Sequence, residues 1–142
     1  MKKSILIGLV VGVSLIMASC SSNEPCRFHK MTIDFTVPQS SWAFDPQNGW
    51  YNYYYQTSAI TASIYDFGTW TMSHEYNPGK AEAFLIQLPE FKFMQDGNVY
   101  YSQRIDYEVG VGYIRVYVTN SDYTYPTDWQ PETMSFHMQI TY

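Results

Sequence analysis

Cysteine, histidine and basic side chains are all scarce in this 142-residue chain, and each scarcity removes a class of activity. There are two cysteines, Cys20 and Cys26. That is too few for a disulfide framework, so an apolar core must hold the fold. The three histidines, His29, His74 and His137, are far apart, and none stands at metal-ligand spacing from another histidine or a cysteine. His74-Glu75 lacks the second histidine of a zinc-protease helix. Eight Lys and Arg face 13 Asp and Glu, a net charge of −5. This balance argues against a nucleic-acid partner, which requires a basic patch. No Gly-x-Ser-x-Gly elbow is present, and Gly110-Val111-Gly112 precedes no helix that could cradle a phosphate. No stretch carries three turns of amphipathic helix.

What is present begins with an address. Lys2 and Lys3 precede an apolar run over residues 5–17, and Ala18-Ser19-Cys20 closes it. The run is shorter than the ~20 apolar residues that a membrane-spanning helix needs. Charge, apolar run and small residues in this order make a secretory signal. The block resembles a bacterial lipoprotein signal with its lipobox, Met17 standing where Leu is usual. That resemblance implies cleavage after residue 19 and lipidation of Cys20, with a palmitate-type acyl chain on its freed amine. The expected organisation is therefore a signal peptide (1–19), a lipidated tether (20–27) and one β-sandwich domain (28–142). Loss of Lys2 and Lys3 leaves six basic side chains against 13 acids, a formal charge of −7. Cys26 falls in the tether and reads as a bystander thiol. The expected location is the outer membrane or cell envelope, with the membrane as partner through the lipid and the facing side left open.

The 14 Tyr, 8 Phe and 4 Trp all lie beyond the signal, and aromatics at this density favour strands. Alternation from Lys30 places Met31, Ile33, Phe35 and Val37 on one face. Further strands are read at Trp42/Phe44, over 50–56, over 60–65 from Ile60, Ala62 and Ile64, and over 69–76. An apolar piece at 81–88 reads as a central strand. Phe91 and Phe93 alternate in the next, then Val99 to Val109 in a long one. Strands over 113–119 and 134–142 complete the set, with turns at Asp45-Pro46-Gln47-Asn48-Gly49, Asn77-Pro78-Gly79 and Asp96-Gly97-Asn98. Seven to nine short strands predict an all-β fold, an immunoglobulin-like antiparallel sandwich. A small barrel is the minor alternative. Gly68-Thr69-Trp70 matches the Gly-x-Trp of lipocalins, but it follows several strands instead of opening the first.

Several short elements carry a further likeness. They are Trp50-Tyr51 opening an aromatic strand, Ile60-Thr61 with Ile64 and Gly68, Leu88-Pro89, Tyr107 with Gly112, and the closing Ser135-Phe136-His137-Met138-Gln139-Ile140. Over roughly residues 42–142 the chain resembles small lipoproteins of gut Bacteroidetes whose mature part is an immunoglobulin-like sandwich. The resemblance implies the fold and brings no catalytic residues with it. Glu24 alone supplies acid close behind Cys20, short of the acidic patch that accompanies surface export in these bacteria.

The residues with most functional potential are aromatic. In Tyr51-Asn52-Tyr53-Tyr54-Tyr55 some rings must face outward whichever face is buried, and the 120–131 loop holds Tyr123, Tyr125 and Trp129. Tyr51, Tyr53, Tyr55, Tyr123, Tyr125 and Trp129 are accordingly the candidate binding residues, against the competing reading that these rings build the core. No catalytic residue, metal ligand or cofactor is expected. The leading reading is a non-catalytic binding module for a glycan or an envelope protein. A structural accessory subunit that adds a strand to a partner is the alternative. A small hydrolase is least favoured, since strands bring scattered carboxylates together without purpose as readily as with it.

Overall fold

The structure, a computed structural model, describes residues 28–121 and 129–142. The signal, Cys20, Cys26, Tyr123 and Tyr125 lie outside them. Nine strands follow in order: β1 (Lys30–Val37), β2 (Ala43–Asp45), β3 (Trp50–Gln56), β4 (Thr69–Tyr76), β5 (Phe84–Gln87), β6 (Glu90–Asp96), β7 (Val99–Gly110), β8 (Tyr113–Asn120) and β9 (Met134–Thr141). One short α-helix, α1 (Ala62–Phe67), joins β3 to β4, and a single 3-10 turn, Gln39–Ser41, joins β1 to β2. The strands form two antiparallel sheets, ordered β1-β9-β4-β5 and β2-β3-β8-β7-β6. The architecture is the expected antiparallel sandwich, and neither sheet closes into a barrel. In the immunoglobulin order the first and last strands belong to different sheets; here β1 and β9 pair directly along their whole length. The likeness to that class lies in the layers, and the connectivity is this chain's own. Among the described residues no helix is long and apolar enough to cross a membrane.

Period-2 patterning explains the core. Ile33, Phe35 and Val37 of β1 register with Met138, Phe136 and Met134 of β9, and Met72 of β4 also faces Met138. These side chains leave at most 7% of their surface in solvent. The second sheet answers with Ile105, Ile114, Val116 and Val118, all fully buried. Turn chemistry sets the hairpins. Gly112 (φ 84°) closes β7–β8 and Gly97 (φ 58°) closes β6–β7, backbone conformations that side-chain-bearing residues seldom adopt.

Three expected elements take another form. The strand read at 60–65 is a loop followed by α1. The Thr61 hydroxyl accepts a hydrogen bond from the Ile64 N–H and caps the helix. Ile60 and Ile64, four apart, are both buried on one side, so the i, i+4 spacing prevails over the i, i+2 reading. The central strand read at 81–88 shrinks to β5, the outermost strand of its sheet, with all four residues exposed. In β6 the polarity is inverted: Phe91 and Phe93 are 58% and 92% exposed, while Glu90 is buried.

Candidate functional site

The parity of β3 distributes its aromatic rings between the two faces. Tyr51, Tyr53 and Tyr55 register with Val118, Val116 and Ile114, the aliphatic inner face of β8, and are drawn into the core. Tyr51 is 8% exposed and donates its phenolic hydrogen to the Trp129 carbonyl. The Trp129 ring packs edge-on against it at 5.4 Å. Tyr55 stacks on Phe35 at 4.4 Å. These four described residues, expected from the sequence as contact residues, pack against the core, because the aliphatic face of β8 decides which side of β3 turns inward.

The opposite parity builds the outer face of the five-stranded sheet. Trp50 and Tyr54 stand on β3, Arg115 and Tyr117 on β8, Arg104, Asp106 and Glu108 on β7, and Phe91 on β6. The register Asn52↔Tyr117↔Asp106 and Tyr54↔Arg115↔Glu108 lays them out in rows across three strands. The Arg115 guanidinium lies 5.1 Å from both the Trp50 and Tyr54 ring centres and reaches Glu108 at 3.2 Å. Arg115 Nε is buried without a hydrogen-bond partner among the described residues, held by the two ring faces. Trp50 and Tyr117 meet at 5.0 Å with planes tilted by 32°.

At the end of this face lies a groove of about 380 Å3. Trp50, Phe91 and Tyr117 supply its aromatic walls, and Asn48, Arg104, Thr119 and Asn120 its hydrogen-bonding groups, with Ser102 and Ser121 at the strand ends. Local chemistry fixes each contributor. Asp45 accepts from the backbone N–H groups of Gln47 and Asn48 at 3.0 and 3.2 Å, an Asx-type turn. The Asn48 amide donates to the other Asp45 oxygen at 2.7 Å. That last bond, more than the backbone donors, holds the Asp45 carboxyl below its ordinary pKa. Arg104 pairs with Asp106, whose other oxygen accepts from the Tyr107 N–H at 2.8 Å. Burial first, then the Asp106 charge, raises Tyr117 above the usual phenol value. Aromatic walls with converging polar groups are the usual composition of a small-molecule site. The chain matches no protein-family model, no curated protein and no solved structure.

A second polar cluster lies inside the sandwich. His74 of β4 and Glu90 of β6 belong to opposite sheets, yet His74 Nδ1 and Glu90 Oε2 are 2.9 Å apart at 3% and 6% exposure. Tyr76 donates to the other Glu90 oxygen, and Lys92 sits 5.0 Å over the Tyr76 ring while pairing with Glu132. Sequence spacing gives no hint of this contact, since His74 and Glu90 are 16 residues apart on different sheets. The one signal is the inverted polarity of β6. Among the described residues no group of three or more His, Cys, Asp or Glu is placed to hold a metal.

The cluster predicts how stability depends on pH. Burial outweighs the Glu90 hydrogen bond and lowers the His74 pKa from 6.5. The folded state thus resists a proton that the unfolded chain accepts. Its contribution is present above about pH 6.5 and is lost as pH falls below it. Tyr76 is raised from 10.0, by burial and then by Glu90, so its contribution is lost as pH rises above about 10. Urea titrations across pH should give a stability dome with these two limbs. His74→Gln should flatten the acid limb between about pH 7 and 5, above the range in which carboxylates titrate; an unchanged limb would contradict the assignment.

Proposed function

We propose that this chain is a non-catalytic, lipid-anchored module of the bacterial cell envelope that recognises a glycan. The observation that carries the reading is the groove walled by Trp50, Phe91 and Tyr117. Flat rings cover the C–H face of a sugar, and the amide and hydroxyl groups between them engage its hydroxyls. Strands hold the walls, so little ordering entropy opposes binding. The acids of this face are each engaged, Asp106 by Arg104, Glu108 by Arg115 and Asp45 by Asn48 and the Gln47 N–H, which favours recognition over acid–base chemistry. The lipoprotein-like sequence at Cys20 supports the envelope location, and the likeness to Bacteroidetes lipoproteins belongs to the same proposal.

Native affinity electrophoresis against neutral and acidic polysaccharides tests the binding. At least one polymer should retard the wild-type protein, and retardation by none would overturn the reading. Radioactive palmitate fed to the producing cells tests the anchor. The wild type should carry label and Cys20→Ala should not; equal label on both would contradict lipidation of Cys20.

One observation favours the accessory-subunit reading. β5 is an edge strand in which Phe84 and Leu85 are each 50% exposed, a form suited to pairing with a partner's strand. It predicts recovery of a partner in stoichiometric amount from envelope extracts, reduced by Leu85→Pro.

A further inference from the structure

Among the described residues, Arg104 is the only charged side chain that lines the groove. Its guanidinium carries five N–H donors and gives one nitrogen to Asp106. The guanidinium carbon stands 5.8 Å from the Phe91 ring centre, and both side chains line the groove. The Arg104 side chain is 47% exposed and the Asp106 side chain 11%, so the guanidinium is the more accessible member of the pair. Asp106 is also engaged by the Tyr107 N–H and by Tyr117, so two contacts besides Arg104 already draw on its oxygens. An otherwise acidic chain thus presents an accessible guanidinium next to an aromatic wall.

We infer that the glycan bound in this groove carries a carboxylate, that is, a uronic-acid residue. The ring rests on the Trp50 side, and its carboxylate meets the free face of Arg104. The fit is one of shape as well as charge, because the planar guanidinium matches a carboxylate through two parallel hydrogen bonds. This inference rests on the glycan reading above and adds the class of sugar. It also makes Arg104 the specificity-determining residue, with Trp50 supplying affinity for any pyranose.

The test compares four uronate polymers (polygalacturonate, alginate, glucuronoxylan and hyaluronan) with their carboxyl-reduced forms, alongside neutral mannan and xylan. The full mature protein is used, and binding is read by affinity electrophoresis and calorimetry. At least one native uronate polymer should bind about tenfold or more tightly than its reduced form. That preference should weaken with added salt, while binding to the reduced form should not. Arg104→Gln should abolish the preference without abolishing residual binding to the reduced polymer. Arg104→Lys should restore it only in part, since the charge returns without the fork. Equal binding to native and reduced forms, or binding to neutral polymers alone, would overturn the uronate inference and leave the glycan reading standing. Binding to no polymer of either kind would overturn both. If Arg104→Gln keeps the preference, the carboxylate sits elsewhere and the role given to Arg104 is wrong.

Discussion

Glu90→Ala should lower unfolding stability by about 3 kcal/mol, one of the two largest single-residue losses expected in this fold. Glu90 accepts from groups on β4 while it belongs to β6, so its carboxylate ties one sheet to the other. Its removal leaves the buried His74 ring N–H and the half-buried Tyr76 hydroxyl without an acceptor. Each orphaned donor costs about 1–3 kcal/mol, and the vacated volume adds to the loss. For a domain of this size the melting temperature should fall by roughly 12 °C. Glu90→Gln is the informative companion. Its amide oxygen can still accept from Tyr76, and the imidazole can change tautomer to accept from the amide nitrogen, so less than about 1.5 kcal/mol should be lost. Urea unfolding of the three proteins checks this. Equal losses for Ala and Gln would mean that the negative charge, and not the acceptor geometry, holds the tie.

Phe136→Ala should cost about 3–5 kcal/mol. Phe136 sits on β9, flanked by β1 and β4 in the four-stranded sheet, and is 1% exposed. Its ring meets Phe35 at 5.4 Å and His74 at 5.5 Å. Neighbours held in two strand ladders cannot collapse into the space it would leave, which places the cost in the upper part of the range for such truncations. The shared contact with His74 couples this site to Glu90. The double variant should therefore lose measurably less than the sum of the two single losses, by about 0.5 kcal/mol or more. Strict additivity would show that the His74 ring does not transmit the packing.

The strands that were legible in the sequence are those with aliphatic side chains at one parity only. Met31, Ile33, Phe35 and Val37 of β1, and Met134, Phe136, Met138 and Ile140 of β9, admit a single inward face. β3 was legible as a strand but not in its orientation, because aromatic rings occupy both parities from Trp50 to Tyr55. Its orientation is decided across the ladder by Ile114, Val116 and Val118, a long-range pairing that a local pattern does not contain. The contact residues followed that ambiguity: Tyr51, Tyr53 and Tyr55 turn inward, while Trp50 and Tyr54 turn out. α1 is hidden in the sequence because Ile60 and Ile64 satisfy period 2 through Ala62 as well as period 4, and the Thr61 cap settles the choice. The apolar run of β5 suggests a central strand, whereas its place is set by the chain leaving the sheet at Leu88-Pro89 for β6. Arg104, Phe91 and Tyr117 come together only through pairing of β6, β7 and β8, so no spacing along the chain announces the groove.

The central claim is that the two faces of β3 divide the work, the inner face holding the sandwich and the outer face holding the ligand. The direct measurement is a paired comparison of Trp50→Ala and Tyr55→Ala, in which affinity for a retained polysaccharide and unfolding stability are determined on the same samples. Trp50→Ala should lose at least about tenfold in affinity, with a stability loss of about 1–2 kcal/mol from its contacts with Arg115 and Tyr117. Tyr55→Ala should lose about 2 kcal/mol of stability through its stack on Phe35 and keep wild-type affinity while folded. The reverse pattern, with affinity lost at Tyr55 and untouched at Trp50, would contradict the account.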